Sequence, residues 1–145
     1  MIRELRRLSA RTRRPAIGLF EGGTAPENLT GEILRFQPSH ILLVDAADLG
    51  LKPGTVKLIK PEAIGGVSFS THVLPLKILA DYLSQSLPCP ACNAEHNMAG
   101  RQVMVLGIQP GRTDFGMAPS REIRAATRQL AQEIMASLTA NESLA

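Results

Sequence analysis

Aromatic residues are scarce in this chain: four Phe, one Tyr and no Trp among 145 residues. Proteins that bind unpaired bases stack them on such side chains, so the composition argues against a nucleic-acid platform of that kind. Cysteine is nearly absent, with two residues, which excludes a disulfide framework and points to a reducing, cytoplasmic setting. No run of about 18 apolar residues occurs, so no membrane-spanning helix is expected. There is no internal repeat. The motifs G-x-S-x-G, H-E-x-x-H and the Walker loop are all missing, so a hydrolase built on this sequence would rely on a metal electrophile rather than a Ser or Cys nucleophile. What is present is ordinary for a globular protein: 44% apolar and 20% charged residues, enough for one domain (1–145) with a core of its own.

Charge is unevenly placed. The net charge is +3, yet Arg3, Arg6, Arg7, Arg11, Arg13 and Arg14, against Glu4 alone, put +5 on residues 1–14. The remainder of the chain therefore sums to −2. Three readings of this segment stand: a basic arm for nucleic acid, a targeting peptide, or the polar face of a helix whose apolar stripe is Ile2, Leu5 and Leu8. The stripe favours the helix face. A secretory signal is excluded because no apolar region follows the Arg residues.

Hydrophobic periodicity predicts alternating elements. Residues 2–13 read as a helix stopped by Pro15, and 16–20 as a short strand before Gly22-Gly23. Residues 24–37 read as a short amphipathic helix closed by Pro38. Residues 40–45 form a continuous apolar run ending in an acid, the pattern of a strand buried on both faces. Residues 55–60 alternate and suit an edge strand. A helix is expected over 74–87, a polar loop over 88–100, a second buried strand over 102–108, and a long helix over 119–138 with Ile123, Ala126, Leu130, Ile134 and Leu138 on one stripe. This alternation implies an α/β sandwich with a mostly parallel sheet, whose ligands sit beyond the carboxyl ends of the strands. Asp45 and Gln109 fall at those ends.

Three groups of residues are candidates for chemistry. Asp45 and Asp48 lie in VDAADLG; a carboxylate just past a buried strand can ligate a metal, whereas Asp48, close to Gly50 and Gly54, fits a turn better. His72, just ahead of a helix, is either an imidazole ligand to nickel, zinc or a similar ion, or a packed side chain beside a capping Ser70 or Thr71. Cys89 and Cys92 in a Cys-Pro-Ala-Cys loop, with Glu95 and His96 behind them, offer three or four donors for zinc, or two exposed thiols. Gly22-Gly23-Thr24 lacks the Lys of a phosphate cradle.

Four stretches, in order, resemble the maturation endopeptidases of nickel–iron hydrogenases, most of all the branch serving formate-hydrogenlyase-type hydrogenases. They are EGGTAPEN (21–28), FQPSHILLVDAADLGLKPGTVKLI (36–59), STHVLPL (70–76) and VLGIQP (105–110). The resemblance implies an α/β/α three-layer sandwich around a small twisted sheet. It implies an enzyme that clips a short C-terminal tail from the hydrogenase large-subunit precursor once nickel has been inserted, reading that nickel through its own acidic and imidazole groups. Asp45 matches the family's second acidic ligand and His72 its His ligand. Two departures accompany the match. The opening strand and the Gly-Asn…Gly-Asp-Asp-Gly segment that carries the third ligand have no counterpart, and Met1-Ile2-Arg3-Glu4 aligns inside the helix that follows them. The expectation is that Met1 is an internal methionine of a protein beginning upstream; Glu21 and Glu27 are the substitutes within the chain. The Cys-Pro-Ala-Cys loop is an insertion. Two other functions remain open on the residues: a nickel-sensing or chaperone-like module that binds the precursor without cutting it, using Asp45, His72 and the Cys pair, and a nucleic-acid module using the Arg arm.

Overall fold

A computed structural model of the chain describes residues 1–10, 17–59, 68–69, 76–87, 102–112, 116 and 118–140. The first helix, α1 (Ile2–Ser9), turns its stripe inward: Leu5 is buried while Arg3, Arg6 and Arg7 are exposed. Arg7 reaches back 2.7 Å to Glu4. Over these residues the basic run is a solvated helix face, as its periodicity predicts. A 3-10 turn (Pro26–Leu29) leads into α2 (Thr30–Phe36), which stops where Gln37 adopts a left-handed conformation (φ 51°) ahead of Pro38.

Among the described residues four strands follow: β1 (His40–Asp48), β2 (Val56–Ile59), β3 (Ser68–Phe69) and β4 (Gln102–Ile108), ordered β2-β4-β1-β3 in one sheet. The two apolar runs pair in parallel, from His40 opposite Gln102 to Ala46 opposite Ile108. Parallel pairing demands a long crossover, which includes α3 (Leu76–Ser86). The outer pairings, β2 with β4 and β1 with β3, are both antiparallel. The α/β class expected from the sequence therefore holds, with helices flanking a small sheet, but the sheet is mixed rather than mostly parallel. β2 follows β1 after residues 49–55, too short a connection to permit a parallel return to the same sheet.

Paired residues on neighbouring strands share a face, and that face alternates along each strand. Leu43, Ala47, Val105 and Ile59 thus lie together, and they form one core cluster with Ile33 of α2 and Leu76, Leu79 and Leu83 of α3. Leu83 is fully buried. A second cluster joins Leu5 of α1 to Ala131 and Met135 of α4 (Arg121–Ala140). Ser120 immediately precedes α4, and its Oγ accepts a bond from the Ile123 amide at 3.4 Å. Its buried line runs through Leu130, Ala131 and Met135; Leu138, expected on that line, is exposed near the helix end.

The strand expected over 16–20 is corrected for residues 17–20, which pair with no strand among the described residues. Their apolar character serves two helix layers instead. Leu19 packs on the α1/α4 cluster and Phe20 on the sheet/α2/α3 cluster, where its ring meets Phe36 edge-on at 6.0 Å.

Candidate active site

Asp45 lies on β1, three residues from the strand's carboxyl end, directly opposite Gly107 of β4. Strand alternation sets it on the same face as Leu43 and Ala47, the face covered by α2 and α3. Its Oδ1 accepts a hydrogen bond from the Ala46 amide at 2.8 Å. Gly107 leaves the adjoining position without a side chain, and a Cβ there would come within 2.7 Å of Ile59 Cδ1 and 2.8 Å of Ala47 Cβ. Across Gly107, in the same row, stands the exposed Lys57. The row is thus carboxylate, bare backbone, ammonium.

Asp48, the other acid of VDAADLG, is a structural residue. Its Oδ1 accepts from the Gly50 amide at 3.3 Å, closing the turn, and from Gln109 Nε2 at 3.3 Å. Gly50 takes φ +64°, which a side chain would resist. Gln109 is buried and follows β4 directly. Its Oε1 accepts from the amides of Leu49 (2.6 Å) and Leu51 (3.2 Å), and its Nε2 also donates to the Pro110 carbonyl at 3.2 Å. Its backbone holds the far end of the same loop: Gln109 N–H donates to the Thr55 carbonyl, and Gly54 N–H donates to the Gln109 carbonyl, each at 2.9 Å.

Of the two acids named as substitutes, Glu21 is exposed. Glu27 is the second residue of the 3-10 turn, and its Oε2 is buried with no hydrogen-bond partner among the described residues. His72, Cys89, Cys92, Glu95 and His96 lie outside the described residues, so the structure does not speak to the pairing of Asp45 with His72 or to the Cys-Pro-Ala-Cys loop. Among the described residues, no three His, Cys, Asp or Glu side chains converge as a metal site. No helix among them is long and apolar enough to cross a membrane.

Comparison with known proteins decides the family. A family model described as hydrogenase maturation protease matches residues 2–137. The chain belongs to the hydrogenase maturation protease family. Among its relatives, the hydrogenase 3 maturation protease of Escherichia coli K12 is 32% identical over 117 residues, spanning 80% of this chain and 67% of that protein. A Methanocaldococcus jannaschii protein bearing the name of a hydrogenase maturation protease is 39% identical over 97 residues, spanning 67% of this chain but only 50% of its own length. The chain therefore spans between half and two-thirds of these relatives. Among solved structures, the endopeptidase HycI of E. coli superposes with a TM-score of 0.68 at 32% identity, covering 88% of this chain and 74% of HycI. The nickel–iron hydrogenase maturation protease HycI of Thermococcus kodakarensis superposes at 0.70 with 29% identity, covering 93% and 78%. For this maturation-protease chain, the fold inferred from alternating strands and helices is thus shared with solved members.

Proposed function

We propose that this chain is a cytoplasmic processing endopeptidase that removes the C-terminal extension of a nickel–iron hydrogenase large-subunit precursor after nickel insertion. The observation that carries the reading is Asp45: an acid near the carboxyl end of a parallel strand, beside a position kept free of a side chain. In such sheets this is where ligands bind. The family membership supplies the substrate class.

In this mechanism the nickel belongs to the substrate. Asp45 and His72 are its protein ligands and the catalytic pair, and the metal polarises the scissile carbonyl or activates the attacking water. The β ladder fixes Asp45 in the strand, so the carboxylate meets the precursor with little reorganisation. Residues 65–70 and 111–116 are proposed to contact the precursor. A separate zinc site is proposed at Cys89, Cys92 and His96, to be checked by the zinc content of wild type against Cys89→Ser.

The deciding experiment incubates nickel-loaded and nickel-free precursor with wild type, Asp45→Ala and His72→Ala, and measures precursor mass. Expected is a shortened product only with wild type and only from nickel-loaded precursor. Cleavage by either variant at the wild-type rate would remove the site assignment. Stable binding by wild type with the precursor left at full mass would replace the peptidase with the nickel-sensing module. Nucleic acid takes no part in the proposed reaction.

A further inference from the structure

We infer that Gln109 is the positioning residue of this site: a single side-chain amide that fixes the loop leaving β1 and, through it, the placement of Asp45. The inference rests on the proposed role of Asp45.

Residues 49–55 connect β1 to β2 over the carboxyl end of the sheet, and Gln109 bonds to both ends of this loop. The side chain holds the near end at the amides of Leu49 and Leu51. The backbone holds the far end at Gly54 and Thr55. The remaining side-chain bonds, from Nε2 to Asp48 Oδ1 and the Pro110 carbonyl, determine which way the amide faces. A flipped amide would set its NH2 group against two N–H donors and its oxygen against a carboxylate, so one orientation is strongly preferred. The 2.6 Å bond to Leu49 is the shortest contact of the group, and Gln109 is only 8% exposed. Buried as it is, each lost partner leaves a polar group unsatisfied rather than rehydrated.

The connection to Asp45 is short. Gln109 lies two residues beyond Gly107, which is the ladder partner of Asp45, and one beyond Ile108, the partner of Ala46. Asp48, gripped by Nε2, lies three residues beyond Asp45 on the same strand. The amide thus ties the end of β1 to the end of β4 just where the ladder stops. Among the described residues, the ladder partners of the last two residues of β1, Ala47 and Asp48, are in β3. The Ala46 amide, bonded to Asp45 Oδ1, reports directly on the carboxylate.

The test is amide hydrogen exchange and chemical shift by NMR on the full chain, comparing wild type with Gln109→Met, which keeps the length and removes every side-chain bond. Expected is faster exchange at Leu49 and Leu51 together with a shifted, less protected Ala46 amide, while the amides of α3 stay as in wild type. Loss confined to Leu49 and Leu51, with Ala46 unmoved, would reduce Gln109 to a loop staple and overturn the inference. Should Gln109→Met fail to fold, Gln109→Asn retains the amide one methylene short, and the same three resonances decide. In the precursor assay both variants should lower kcat by about 100-fold, the scale of a displaced reacting group, with KM within about threefold; a change in KM alone would also overturn it. If wild type cleaves nothing, the proposed function fails, yet the Ala46 amide still decides whether Gln109 positions Asp45.

Discussion

Gly107→Ala adds one methyl group where the structure has no room for it. The new Cβ would lie 2.7 Å from Ile59 Cδ1 and 2.8 Å from Ala47 Cβ, whereas apolar carbons rest about 3.5–4.0 Å apart. The two contacts are not equivalent. Ile59 Cδ1 is the tip of a side chain that can change rotamer, although at 5% exposure it has little space to enter. Ala47 is 1% exposed and has no rotamer to change, so relief on that side requires β1 and β4 to part. They would part in the row that contains Asp45. Overpacking of this kind costs about 1–3 kcal/mol, which for a chain of this length lowers Tm by roughly 3–10 °C. Thermal unfolding followed by circular dichroism measures this. Precursor cleavage well below Tm should fall further than the folded fraction does, because the strain lies beside Asp45, the carboxylate proposed as catalytic. Adding Ala47→Gly removes the opposing methyl group, and the double variant should show a favourable coupling of about 0.5–3 kcal/mol. A Gly107→Ala variant with unchanged Tm, or a double variant whose effects simply add, would refute the argument that Gly107 is kept bare by its contact with Ala47.

Three further outcomes follow from the packing and the charges. Leu83→Ala empties a fully buried position between α3 and the sheet and should cost about 2–5 kcal/mol in denaturant unfolding. Gly54→Ala forces a side chain into φ +85° with the Glu122 carbonyl oxygen 3.1 Å from the new Cβ; a loss of about 1–2 kcal/mol is expected from the backbone alone. Glu4, hydrogen-bonded by Arg7, has its carboxyl held below its usual 4.5, so the stability it lends is present above that value and is lost as pH falls through the lowered one. The pair is exposed, so the effect is small; Arg7→Ala should flatten this part of the acid limb of a Tm-against-pH curve, and salt should do the same.

The parallel pair was the most legible part of the fold because both strands lie inside the sheet and read as unbroken apolar runs. β2 alternates, and it is the edge strand that alternation predicts. β3, with two residues paired, is too short to leave a pattern. Residues 17–20 show the limit of apolarity as a strand signal: Leu19 and Phe20 point to different helix layers, which satisfies an extended segment without any strand beside it. At the site, Asp45 was legible because an acid ends an apolar run. The position of Gln109 was legible too, but its function was not, since its bonds to Leu49 and Leu51 join residues 60 and 58 apart in the chain. A glycine within a strand signals only that something comes close, and for Gly107 it took the register to show that Ala47 and Ile59 are what come close.

The two acids of VDAADLG illustrate how elementary geometry sorts a motif. Side chains alternate faces along a strand, so Asp45 and Asp48, three apart, cannot share one. If Asp45 faces the layer of α2 and α3, Asp48 must face away from it. Its carboxylate is then committed to the turn, through Gly50, and to Gln109. A pair of carboxylates close in sequence is therefore not a pair in space: one lies on the face proposed to meet the precursor and the other braces the loop. Asp48→Asn retains an oxygen for the Gly50 amide but weakens the charge-assisted bond from Gln109. It should loosen the loop, visible as faster exchange at Leu49 and Leu51, and leave cleavage within about tenfold of wild type, whereas Asp45→Asn should abolish it. Equal losses from the two substitutions would mean that both acids serve the metal, and the assignment of Asp48 to the turn would fall.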